Sequence, residues 1–136
     1  MRDIRFRAKA VGSGRWLYGD LVWTGDFHSI PAIFEEHLTD KDGAITAKAS
    51  TLGMNTGLHD KKGTEIFAGD ILAHDGKVIG HVVDDVRGYC FDVVYANPVE
   101  TSTWSLYGVV KNDYKGNIEI VGNIYDNPEL LNPDRQ

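Results

Sequence analysis

The chain has 136 residues, 14 Lys and Arg against 20 Asp and Glu, a formal net charge of −6 and 42% hydrophobic residues, a globular composition with enough chain for one domain and one core. No run approaches the roughly 18 apolar residues of a membrane span, MRDIRFRAKA lacks the apolar stretch of a signal peptide, and the single cysteine, Cys90, excludes an internal disulfide and cysteine-based zinc sites. The expected setting is the cytoplasm with no membrane partner, and the acidic balance argues against tight binding to nucleic-acid phosphates.

Strand signals open the chain. IRFRAKAV at 4–11 alternates, so Ile4, Phe6 and Ala8 share one face and Arg5, Arg7 and Lys9 form a solvated basic face on the other. Val11-Gly12-Ser13-Gly14-Arg15 reads as a turn. RWLYGDLVW at 15–23 is a second strand, which makes residues 4–23 a hairpin. SIPAIFEEHL at 29–38 is the best helix candidate: Pro31 suits a first turn, and Ile33, Phe34, His37 and Leu38 would share a face. Residues 39–56 read as loop, with a turn at Asp42-Gly43 and a short strand in ITAKAST.

Asp60-Lys61-Lys62-Gly63 fits a type I turn, with Asp first and Gly fourth. Asp75-Gly76 signals a two-residue hairpin loop. That loop would pair His74 with Lys77, Leu72 with Ile79 and Asp70 with His81. Apolar residues on both faces predict a ribbon covered on both sides. GYCFDVVYA at 88–96 continues in strand, and WSLYGVV at 104–110 with NIEIVGNIY at 117–125 reads as another hairpin. DNPELL at 126–131 reads as a helical turn with Asn127 as cap and Pro128 first. The sum is one mainly β domain over residues 1–136, or a β-rich α+β one. Its sheets are expected to be small, bent and barrel-like, with one short helix and a C-terminal helical turn.

Chemistry-bearing residues crowd between 59 and 85: His59, Asp60, Asp70, His74, Asp75, His81, Asp84 and Asp85. A metal site needs three or four converging ligands. Asp70, His74 and His81 share a face, but His74 lies about 13 Å along the strand from Asp70. A direct Asp70–His81 pair is the simpler reading, and no metal ligand is assigned. Asp84 and Asp85 point to opposite faces and do not form a carboxylate pair. Ser29, Ser50, Ser102 and Ser105 sit in no nucleophile-elbow context. Gly12-Ser13-Gly14 lacks the remaining parts of a phosphate loop. Cys90 reads as a small buried hydrophobe. No catalytic residue and no cofactor is assigned. Trp16, Trp23, Trp104, Tyr18, Tyr89, Tyr95, Tyr107, Tyr114 and Tyr125 read as core plugs and sheet-edge packing rather than a stacking platform for single strands.

The stretch TGLHDKKGTEIFAGDIL at 56–72 resembles the signature of the YopX family of bacteriophage and prophage proteins. Thr56, Gly57, Leu58, Asp60, Gly63, Glu65, Ile66, Phe67, Gly69, Asp70 and Ile71 carry the resemblance. IRFRA at 4–8, the W-x-Y-G of residues 16–19 and IEIVGNIYDNPELL at 118–131 extend it over nearly the whole chain. Met54-Asn55 departs from the family, where a Gln and an aromatic residue often stand. The resemblance implies a β-rich body and no established reaction. The resulting expectation is a non-enzymatic accessory protein, binding an unknown host or phage protein or assembling with itself as a homo-oligomer. The alternative is a divalent-metal-dependent enzyme acting on nucleic acid or nucleotides.

Overall fold

Alternation in the first 24 residues does produce a hairpin. In the computed structural model, which describes residues 4–35, 43–84, 91–95 and 103–132, β1 (Phe6–Lys9) lies antiparallel to β2 (Trp16–Thr24). The Gly12-Ser13-Gly14 segment is the turn between them, closed by Ala10 N–H donating to Arg15 O at 2.9 Å and Gly14 N–H to Ala10 O at 2.9 Å. The backbone divides into two compact units, residues 1–55 and 56–136.

In the first unit the strand order is β4-β3-β2-β1-β5, with β3 (Ile30–Glu35), β4 (Ile45–Thr46) and the start of β5 (Gly53–His59). The segment read as a helix at 29–38 is β3 over its described part. Ile30 to Glu35 pair with β2 through six residue pairs, Thr24↔Ile30 to Gly19↔Glu35. A ten-residue helix is marginal by itself, and a strand rich in Ile and Phe gains more by pairing with a nine-residue neighbour. Residues 36–38 lie outside the described residues. Ala8, Ala10, Leu17, Ile33 and Ala47 form the core, flanked by Phe6, Leu21, Ile45 and Leu52. A single Ala10↔Ala47 bridge curls the sheet back on itself without closing it. The bending was expected; closure into a barrel does not occur. Arg7 is not solvated as the alternation suggested: it is 5% exposed, its guanidinium 4.9 Å from the Trp16 ring centroid.

In the second unit, the end of β5 is followed by β6 (Glu65–Phe67). A five-stranded sheet has the order β10-β9-β8-β7-β11: β7 (Asp70–His74), β8 (Lys77–Asp84), β9 (Phe91–Tyr95), β10 (Thr103–Ser105) and β11 (Glu119–Asn123). The Asp75-Gly76 loop pairs His74 with Lys77 as expected, but the register then slips. A bulge leaves Ile79 extra, so Leu72 faces Gly80 and Ile71 faces His81. The expected Leu72–Ile79 and Asp70–His81 pairs are therefore wrong, and Asp70 pairs with Asn123 of β11. Gly80 is required there, since a Cβ would lie 2.1 Å from Val94 O. Asp70 to Ala73 are all buried, as a ribbon covered on both sides should be.

The 104–110 and 117–125 segments do not form a hairpin. β10 pairs with β9, β11 pairs with β7, and a π-helical segment, Gly108–Asp113, lies between them in sequence. Leu106, Val109 and Val110 are all buried. Their i, i+3, i+4 spacing is a helical stripe, and it prevails over the β-propensity of Val and Tyr. The C-terminal turn, Pro128–Leu131, is present as a 3-10 turn, though Asn127 does not cap it with its side chain.

Candidate functional site

The titratable residues between 59 and 84 are distributed rather than gathered. Asp60 is buried, and its carboxylate is taken up by backbone: Oδ1 accepts N–H bonds from Lys62 and Thr64 at 2.9 Å each, and Oδ2 accepts from Ile120 at 3.1 Å. The same turn forms, as expected, with Gly63 N–H donating to Asp60 O at 3.0 Å. Lys61 N–H also donates to Ile118 O at 2.7 Å. Asp70 Oδ2 accepts from Phe67 N–H at 2.8 Å, across the turn that Gly69 makes at φ 97°. Thr56 Oγ1 donates to Ile66 O at 2.7 Å and accepts from Leu58 N–H at 3.1 Å. These residues hold backbone together.

The remaining candidates stand apart. His74 Nδ1–H donates to Asn117 O at 2.8 Å, its ring stacks obliquely on Tyr114 at 4.6 Å, and Nε2 lies 3.3 Å from Asp75 Oδ2. His81 faces Ile71, and burial holds its imidazole below the usual pKa. Burial, with Tyr114 and Asp113 nearby, raises the Tyr95 phenol. His59 is exposed at the end of β5 and Asp84 at the end of β8. Ser29 donates to Asp26 O at 2.9 Å, and Ser105 Oγ accepts from Gly108 N–H at 3.4 Å. Asp85, Tyr89, Cys90 and Ser102 lie outside the described residues. Among the described residues, no three His, Cys, Asp or Glu side chains meet where they could hold a metal ion.

The aromatic residues are placed differently from the expectation of core plugs. Among the described residues the buried core is aliphatic apart from Phe67 and Phe91, and every Trp and Tyr retains some exposure. Five of the exposed large hydrophobic residues lie on one hairpin: Tyr18 and Trp23 of β2, Phe27 at the tip, Ile30 and Phe34 of β3. Its core end is tied down by Arg15, which grips the buried Glu35 with two bonds of 2.7 and 3.2 Å.

The tip is the unusual part. Gly25, Phe27 and His28 have φ of 76°, 61° and 51°. For Phe and His this left-handed conformation costs about 1–2 kcal/mol each. Ser29 Oγ–H to Asp26 O and Thr24 Oγ1–H to Ile30 O at 3.0 Å hold the loop in shape. The conformation leaves Phe27 98% exposed, while Trp23 at 44% and Ile30 at 42% lie on opposite faces of the strands that lead to it. A strained backbone that presents a phenyl ring to water gains nothing inside the molecule. Phe27 went unnoticed in the sequence. The available signal was a lone aromatic within Thr24-Gly25-Asp26-Phe27-His28-Ser29, a stretch otherwise polar. No helix among the described residues is long and apolar enough to cross a membrane.

No curated protein matches the sequence. The sequence profile of a family described as YopX protein matches residues 5–132, so the chain belongs to the YopX family.

Proposed function

We propose that this YopX-family chain is a phage- or prophage-encoded accessory protein that acts in the bacterial cytoplasm by binding another macromolecule without catalysing a reaction, and that the β2–β3 hairpin is its contact surface. The observation that carries this reading is Phe27, 98% exposed on a left-handed backbone at the tip of a hairpin whose strands also expose Trp23 and Ile30. Interfaces concentrate their energy in a few aromatic anchors that enter a partner's pocket. Clustered apolar exposure of this kind marks interaction sites.

At one sheet edge, that of β11, binding is favoured over edge-to-edge self-assembly by the way the strand is finished. It is an outer strand of its sheet, yet Ile118 O, Ile120 N–H and Asn123 N–H are occupied by Lys61 N–H, Asp60 Oδ2 and Asn127 Oδ1. An edge protected in this way does not accept a further strand. The test is capture from bacterial lysate by immobilised wild-type chain at micromolar concentration, beside a folded Phe27→Ser chain. A partner retained by the wild type and lost by the variant supports the reading. Equal retention by both, or none by either, overturns it.

A further inference from the structure

The two units are connected alike. In each, four strands follow one another across the sheet in chain order, and a fifth returns to lie antiparallel beside the first: β1 to β4 with β5, and β7 to β10 with β11. A short helical segment precedes the fifth strand in both, Ala49–Thr51 in one and Gly108–Asp113 in the other. Strand order alone does not fix which residues stand opposite one another, yet the registers coincide. One row of paired residues runs Met54, Phe6, Gly19, Glu35, and its counterpart runs Ile120, Leu72, Gly80, Tyr95. Bulges at Ile79 and Val121 fall beside that second row and leave it intact. Both glycines answer the same crowding, since a Cβ on either would meet the carbonyl oxygen of the residue before its partner, Phe34 or Val94. Two residues on, Leu21 faces Ile33 and Val82 faces Val93. Pro31, Ala32 and Ile33 are buried, and so are their counterparts Phe91, Asp92 and Val93.

The units thus agree where the fold constrains them. They part at the end of the second strand, where Trp23, 44% exposed, has the exposed Asp84 as its counterpart. A charged side chain serves the scaffold there, so the scaffold does not call for an indole. We propose that residues 6–55 and 70–123 are two copies of one five-stranded unit, and that Trp23 is a contact residue of the hairpin tip, placed by binding and not by the fold. The second half rests on the reading that this tip meets a partner.

The experiment uses three full-length variants. Asp20→His/Leu21→Val/Trp23→Asp grafts the counterpart residues His81, Val82 and Asp84 in register, and should keep a single cooperative urea transition. Loss of that transition overturns the equivalence of the two units. Trp23→Asp alone should melt within about 3 °C of wild type. A fall of more than about 5 °C would show that Trp23 serves the fold. In capture from bacterial lysate, folded Trp23→Asp should retain at least tenfold less of the protein that Phe27→Ser fails to hold. Undiminished retention by Trp23→Asp, with loss in Phe27→Ser, overturns the role of Trp23 and leaves the binding reading standing. No difference between wild type and Phe27→Ser overturns both.

Discussion

The turn-rich segment of residues 56–71 and the loop of residues 24–30 use backbone irregularity to opposite ends. In the first, Gly69 takes the positive φ, and Thr56, Asp60 and Asp70 direct their oxygens onto backbone partners. The irregular backbone is carried by glycine and offset by hydrogen bonds. In the second, Phe27 and His28 take the positive φ, and the side chain presented, Phe27, is almost wholly in water. The segment that carries the family resemblance therefore builds the fold, whereas the loop proposed to meet a partner lies outside that segment, though within the matched residues 5–132.

Four substitutions and one titration sharpen that contrast. Asp60→Ala removes the acceptor of three backbone N–H groups in a buried setting and should lower unfolding free energy by about 3–5 kcal/mol in a urea titration. Gly69→Val forces a β-branched residue to φ 97° and should lose about 2–3 kcal/mol by the same measurement. A loss under about 0.5 kcal/mol in either case would break the assignment of this segment to architecture. Thr56→Val deletes one donated and one accepted bond, with an expected loss of about 1–2 kcal/mol.

The pH effect is smaller. The His81 imidazole is held below its unfolded pKa by burial. Its contribution is complete above the unfolded value, about 6.5. It declines as pH falls from there toward the folded pKa, because the unfolded chain takes up the proton first. Melting temperature should thus fall between about pH 7 and 5, and less steeply in His81→Gln. An equal slope in both chains would assign the acid sensitivity elsewhere. Smallest of all, Phe27→Ser should leave stability within about 0.5 kcal/mol of wild type, as exposed positions do.

Much of the fold was legible where local chemistry decides it. The 4–23 hairpin, the Asp60–Gly63 turn and the Asp75-Gly76 loop each depend on residues close in sequence. Two errors came from competition with distant partners. Ile30 to Glu35 looks helical until β2 is available to pair with it. Asp70 looks opposite His81 until the Ile79 bulge, accommodated at Gly80 beside Val94, moves the register by one. A third error was a misread period: Leu106, Val109 and Val110 already spelled a helical face within a stretch read as strand. The exposed tip was the least legible part, because exposure is a property of what does not pack around Phe27, and no local pattern encodes that.

Phe27→Gly tests the central claim most directly. Glycine adopts the left-handed conformation without the Cβ penalty and forfeits almost no burial at a position 98% exposed. Urea unfolding of Phe27→Gly beside the wild type should show a chain as stable or more stable by up to about 1 kcal/mol. A loss of about 1 kcal/mol or more would show that Phe27 serves the fold, and would contradict the assignment of this hairpin tip to a partner.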